Sequence, residues 1–270
     1  MKKHSFLLSL LALIALSSCT QTSDPVPGDV SQTESSQMDY FQLQIFSFET
    51  AEQEALLDTY FQEALLPALH RQSIKNVGIF KPIEGLNERD DFMIVLTPFS
   101  SLDQFEKLAA LLDDDAAYQQ SARAYIDAPH DAAPYSRIES MILRSFTATP
   151  TMALPELSTP RSERVYELRS YEAATEKLYK LKVEMFNEGE SALFQELKFN
   201  PVFFCEVLSS AHMPHLIYMT TFENEAAQEK RWDAFRTSPE WDQMKNMERY
   251  ANTVSSITKY LMYPTDYSDI

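Results

Sequence analysis

Two stretches set 125 residues apart constrain this chain more than any other feature: FQLQIF, Phe41 to Phe46, and YELRSY, Tyr166 to Tyr171. Both read aromatic, polar, Leu, polar, small or aliphatic, aromatic, and Gln42 and Gln44 in the first become Glu167 and Arg169 in the second. Further pairs follow in order at an offset of 123: Thr97 with Thr220, Phe99 with Phe222, Glu106 with Glu229, Lys107 with Lys230, Tyr118 with Trp241. Ser136 and Ile138 then match Ser255 and Ile257 at an offset of 119, as short loop deletions would produce. Ordered self-similarity at a fixed period marks a repeated supersecondary unit, here of about 105 residues.

The pattern inside one unit specifies its elements. Residues 40–48 alternate and are β-rich, which predicts a strand. Thr50 with Gln53 is a capping box, and Leu56, Leu57, Tyr60, Phe61, Ala64, Leu65 and Leu69 recur at helical spacing. Pro67 should kink that helix. Strands are predicted over 76–83, 92–99 and 137–146, with a helical region over 101–126 broken near Asp113–Asp115. The second unit predicts strands over 165–171, 202–208, 216–222 and 254–262, with helices over 175–197 and from 223 to about 249. The order β-α-β-β-α-β is the ferredoxin-like pattern. Its sheet carries helices on one face and needs cover on the other. The expected fold class is therefore α+β, two tandem ferredoxin-like (βαββαβ) domains whose sheets cover each other.

The N-terminus predicts an address. Lys2 and Lys3 precede an apolar stretch, Phe6 to Leu16, that is too short to span a bilayer as a mature helix. LSSC, Leu16 to Cys19, then supplies small residues before a cysteine, so residues 1–18 read as a lipoprotein signal peptide with Cys19 as the lipidated first residue. The alternative is an ordinary secretory signal with an incidental cysteine. Residues 19–38 are rich in Ser, Thr, Gln and Pro and read as a flexible tether. The expected domains are 39–147 and 164–270, joined by a proline-rich linker over 148–163. No acidic residue follows Cys19 directly, which favours the outer over the inner membrane. Removing residues 1–18 removes two lysines and no acid, taking the formal charge from −17 to −19. Such a chain repels phosphate backbones, so no nucleic acid is expected as a partner. The other cysteine, Cys205, lies in an apolar run and reads as a packed thiol.

YELRSY, the stretch SPEW (Ser238 to Trp241) and the terminal YPTDYS (Tyr263 to Ser268) resemble the NIPSNAP family over residues 164–268. The first unit resembles it through FQLQIF and PALHRQSIKNVGIF, Pro67 to Phe80. This resemblance implies a dimeric α/β barrel made here by one chain as a pseudo-dimer, with a small cavity between the sheets. Relatives of that barrel include haem enzymes and cofactor-free monooxygenases. The chain departs from the family in the third strand of its second unit, where Ile217, Tyr218 and Met219 replace a usual His-Leu-Trp motif.

Strand alternation then selects candidates. With the apolar sets Phe41, Leu43, Ile45 and Tyr166, Leu168, Ser170 assigned to the helices, Gln42, Gln44, Glu167, Arg169 and Tyr171 face the cavity. Glu167 and Arg169 either grip a polar ligand or form a paired patch that fixes sheet pairing. His212 and His215 form HMPH in a predicted hairpin loop, and no acidic or cysteine cluster completes a metal site around them. His70 and Arg71 suit a helix C-terminus. A haem reading needs a histidine facing the cavity, and His70, His130, His212 and His215 all fall at predicted helix ends or loops. Trp232, Phe235 and Trp241 read as helix packing. No phosphate loop or nucleophile elbow occurs, so no cofactor and no metal is expected. The favoured function is a non-enzymatic, envelope-anchored barrel that binds a small apolar or amphipathic ligand or a partner, with self-association open. The alternatives are a cofactor-independent monooxygenase- or isomerase-like enzyme, and a purely structural envelope protein with a filled barrel.

Overall fold

The computed structural model describes residues 37–270, so the signal peptide, Cys19 and almost all of the tether lie outside the described residues. The repeated capping signals act as read. Thr50 accepts from the Gln53 N–H while the Gln53 side chain accepts from the Glu49 N–H, and this box starts α1 (Ala51–Tyr60) directly after β1 (Tyr40–Ser47). Thr175 caps α6 (Glu176–Met185) after β5 (Val165–Glu172) by accepting from the Leu178 N–H alone. Each of these helices passes through a five-residue π turn, Phe61–Leu65 and Phe186–Glu190, into a shorter helix, α2 (Leu66–Arg71) and α7 (Ser191–Glu196).

The expected kink at Pro67 therefore takes a different form. Pro67 sits at the start of α2, and the carbonyl its ring would crowd, four residues back at Glu63, lies inside the π turn. The stretch over 186–190 differs: no proline follows it, and the backbone leaves the helical region at Gly189, with φ 179°, which kinks the helix there.

The remaining strands are β2 (Gly78–Pro82), β3 (Phe92–Phe99), β4 (Arg137–Ser145), β6 (Pro201–Ser209), β7 (His215–Phe222) and β8 (Ser256–Pro264). The remaining α-helices are α3 (Leu102–Asp114), α4 (Ala116–Ser121), α5 (Arg123–Ile126), α8 (Glu225–Thr237) and α9 (Pro239–Lys245). Asp115 breaks the third helical region by capping α4 through the Tyr118 N–H, and it also pairs with Arg71 at 2.6 Å. The eight strands close into an antiparallel barrel in the order β1-β3-β2-β8-β5-β7-β6-β4. Strands β4-β1-β3-β2 are contiguous, and so are β8-β5-β7-β6, in matching order. Two seams close the ring: β2 with β8 over three residue pairs, and β4 with β6 through a bulge at Ile142/Leu143.

The described residues form three apolar clusters. The barrel interior takes residues from both halves, with Phe41 stacked on Phe203 (5.3 Å between centroids) and Phe80 against Tyr166 (5.0 Å). Cys205 is buried in this interior, as its apolar run suggests. The other two clusters lie between the strands and the helices, one around Phe61 and Leu57, the other around Phe194, Phe204 and Trp232. The proline-rich linker is not free: the Ala153 N–H donates to the Val202 carbonyl, and Met152 and Leu157 pack on the barrel interior. Farther along, Thr159 and Ser158 donate to Glu223 and hold its carboxyl down to about 2.

Close approach of β2 to the interior requires glycine at position 78, since a Cβ there would meet the buried Phe80 ring at 2.5 Å. Gly78→Ala should cost about 1–3 kcal/mol through overpacking, read as a lower urea midpoint with an unchanged slope.

Candidate functional site

The barrel interior reverses the expected facing. Phe41, Leu43, Ile45, Tyr166 and Leu168 point inward, into the interior cluster. Glu167, Arg169 and Tyr171 point outward, into the layer between the second half's strands and its helices, and Gln42 and Gln44 share the outward parity with Phe46. The physical reason is that both strand faces are buried. An eight-stranded interior is only wide enough for side chains to fill, and along most of its length it offers few polar partners, so the apolar set goes there. The helix layer supplies donors, so the polar set goes there.

In the second half that layer holds a charged network. Glu167, 0% exposed, accepts from the Trp232 indole N–H at 2.7 Å, from the Gln228 amide at 2.9 Å and from the Arg169 Nε at 2.6 Å. The Arg169 guanidinium lies 3.8 Å above the Trp232 ring. Burial works against the Arg169 charge, but Tyr218, Tyr171 and Glu167 outweigh it, and the group is held protonated. On the helix that follows, Lys182 donates to Glu190 at 2.6 Å, and both side chains are buried. Burial raises the Glu190 carboxyl, and Lys182 opposes that rise. Lys182 also lies 4.8 Å from the Phe186 ring centroid and within cation–π range of Tyr171 and Trp241. The Tyr171 and Tyr218 hydroxyls meet at 2.7 Å, and burial raises both phenols. Trp232 and Trp241 do pack between helix and sheet, but Trp232 also serves as a donor to Glu167.

The first half is neutral at the same places. At the offset of 125 that relates FQLQIF to YELRSY, Lys182 corresponds to Leu57, Glu190 to Leu65, and Tyr171 to Phe46, all three buried. Gln42 donates to Ser140 at 3.0 Å, and Gln44 is half-buried. The structure thus separates the amides from the charged pair, which sit under different helices. The Lys182–Glu190 pair escaped the sequence reading because it lies on a helix, whereas the search followed the strands; the comparison with Leu57 and Leu65 was available as its signal.

A second polar centre lies at one mouth of the barrel. His215 is the first residue of β7 and is 2% exposed, which corrects its expected place in a loop. Its Nδ1 meets the Ser170 Oγ at 2.7 Å and its Nε2 meets the Ser210 Oγ at 2.7 Å. Burial, helped by His212, pushes its pKa down to about 4. His215 does approach the interior, so the expectation that every histidine lies away from the cavity fails here, but both ring nitrogens are engaged by serines. His70 ends α2 as expected and is tied to Asp269 at 2.9 Å. The mouth is a cavity of about 80 Å³ floored by Leu43, Ile45 and Leu168. Among the described residues, no group of three or more His, Cys, Asp and Glu side chains is arranged to hold a metal ion, and no helix is long and apolar enough to cross a membrane.

This geometry defines the protein as a mixed α/β fold around a closed eight-stranded antiparallel barrel. Residues 166–269, which hold the charged network and the Ser170–His215–Ser210 group, match the NIPSNAP family model. No curated protein matches the chain. Among solved structures, the fold is similar to that of a provisionally assigned monooxygenase from Lactobacillus acidophilus NCFM, with a TM-score of 0.56, 7% identity, and 84% of this chain and 94% of that chain covered. A provisionally assigned monooxygenase from Fusobacterium nucleatum gives 0.55 at 6% identity, covering 84% and 92%. An anthrone oxidase-like protein gives 0.51 at 11% identity, covering 85% and 92%.

His215 makes stability depend on pH. Its folded pKa of about 4 lies below the ordinary 6.5, so the unfolded chain binds the proton more readily between those values. The His215 contribution is complete above about pH 6.5 and is lost as pH falls toward 4, on the order of 2 kcal/mol after allowance for solvent screening. Urea midpoints at pH 7 and pH 4.5 should converge between the parent and His215→Gln as the pH is lowered.

Proposed function

We propose that the chain is an envelope-anchored binding protein built from two copies of one ferredoxin-like unit, and that the charged helix–sheet layer of its second copy is the functional site. The observation that carries this is the internal comparison. The fold accepts Leu57 and Leu65 where the second copy buries Lys182 and Glu190. Buried ion pairs are often no better for stability than apolar residues of similar volume, so packing alone gives no reason to keep the charges. The packed aromatic side chains Trp232, Trp241, Phe186 and Tyr171 and the balanced charges suit a small amphipathic aromatic ligand that parts this layer on binding. The body is tethered through a lipid on Cys19, at the outer membrane; palmitate labelling that persists in Cys19→Ala would remove that part of the reading.

A second reading is a cofactor-independent enzyme working in the same layer. The abutting Tyr171 and Tyr218 hydroxyls and the Lys182–Glu190 pair provide proton donors and acceptors beside the aromatic walls. The likeness in fold to provisionally assigned monooxygenases and to an anthrone oxidase-like protein is compatible with it.

Both tryptophans of the chain lie in this layer, so their fluorescence reports on it directly. Titration with 1-naphthol should change that fluorescence in the parent protein. Lys182→Leu alone should destabilise by about 3–5 kcal/mol, because it strands Glu190. The double variant Lys182→Leu/Glu190→Leu, which installs the first copy's residues, should recover most of that loss and no longer respond to 1-naphthol. An unchanged naphthol response in the folded double variant would defeat the proposal.

A further inference from the structure

The barrel mouth carries chemistry that the helix-layer reading does not use. We propose that Ser170 is an activated nucleophile there, acting on small activated esters, with His215 as its base and Ser210 as the group that orients that base.

The hydrogen-bond pattern accommodates the roles. A neutral imidazole has one N–H and one lone pair, and a hydroxyl can donate and accept at once. The Ser210 Oγ accepts from the His212 backbone N–H at 3.0 Å and keeps a second lone pair for Nε2, 2.7 Å away. Placing the ring proton on Nε2 leaves the Nδ1 lone pair facing the Ser170 hydroxyl at 2.7 Å. This is the arrangement of a nucleophile, a base within hydrogen-bond reach and a third group that holds the base. Burial keeps His215 unprotonated at neutral pH, with Glu139, Glu172, His212 and Tyr260 around the same mouth.

The position of Ser170 supplies the substrate class. Ser170 lines the cavity, whereas Ser210 stands behind the imidazole, so only Ser170 can meet a ligand there. The floor is apolar, and a volume of about 80 Å³ suits an acetyl or propionyl group and excludes longer chains. Thr258, directly across the ladder from Ser170, and Tyr260 put hydroxyl donors on the same wall for the oxygen that gains charge.

The step balances without an added reagent. The Ser170 Oγ bonds to the ester carbonyl carbon while its proton passes to the His215 Nδ1. The carbon–oxygen bond to the leaving group then breaks, and that oxygen takes the proton from Nδ1. The acyl group remains as a serine ester. Water repeats the sequence on that ester and releases the acid and the free hydroxyl.

The test is reaction of the intact protein with 4-nitrophenyl acetate, followed by peptide mass spectrometry. One acetyl group is expected on Ser170, with a matching burst of nitrophenolate. Ser170→Ala should abolish the burst, His215→Gln should slow it roughly 100-fold, and 4-nitrophenyl hexanoate should leave Ser170 unmodified. Tryptophan fluorescence checks that each variant folds, and Ser170→Ala, a single-oxygen deletion, keeps the test decisive if His215→Gln does not. Acetylation confined to lysines, or an undiminished burst in Ser170→Ala, would overturn the proposal.

Discussion

Closure of eight strands into a ring is the constraint from which the rest follows. A ring of this size has an interior that side chains largely fill, here in contacts such as Phe41 with Phe203 and Phe80 with Tyr166. Away from the mouth where Ser170 meets His215, such a space offers few polar partners, and a charge placed there would have little to bind. β1 and β5 therefore turn their more apolar parity inward. The polar parity is then forced toward the helices, where indole, amide and ammonium groups can meet it. The place of Glu167 under Trp232 and Gln228 is thus a consequence of closure as much as of local sequence.

That same constraint explains what could be read in advance. Element type and order were legible because capping boxes and period-two alternation are local: Thr50 with Gln53, and the third strand over 92–99, appear where the residues place them. The choice of face was not legible. In Phe41-Gln42-Leu43-Gln44-Ile45, alternation distinguishes two faces but does not say which lies inside once both are covered. A strand with one wet face would have settled it; β1 has none. The site was half legible for a related reason. Glu167, Arg169 and Tyr171 stand out because a neutral copy of the strand exists for comparison, while Lys182 and Glu190 lie on helical positions where charge normally means exposure. His215 was missed because Pro214 marked its neighbourhood as a loop, yet β7 begins at the next residue.

The two halves share a strand order and a π turn but differ in what they bury under their helices. The first relies on hydrocarbon and on the Tyr60–Tyr118 hydroxyl contact. The second adds two ion pairs, one on the strand and one between Lys182 of α6 and Glu190, the last residue of the kinked turn. Irregular turns inside helices are frequent at functional sites. Here the kink at Gly189 lies between the two partners of a buried pair eight residues apart.

The seam between β2 and β8 has a consequence for what holds the ring shut. Its ladder spans only Phe80 to Pro82 against Met262 to Pro264, and both Pro82 and Pro264 lack an N–H to donate. Groups outside the ladder extend it: the Ile83 N–H donates to the Leu261 carbonyl, the Thr265 N–H donates to the Ile79 carbonyl, and Asn87 bonds both backbone groups of Leu261. The opposite seam is interrupted by a bulge, and the linker braces its neighbourhood through Ala153 on Val202. At both junctions the ring is therefore latched by segments that belong to no strand.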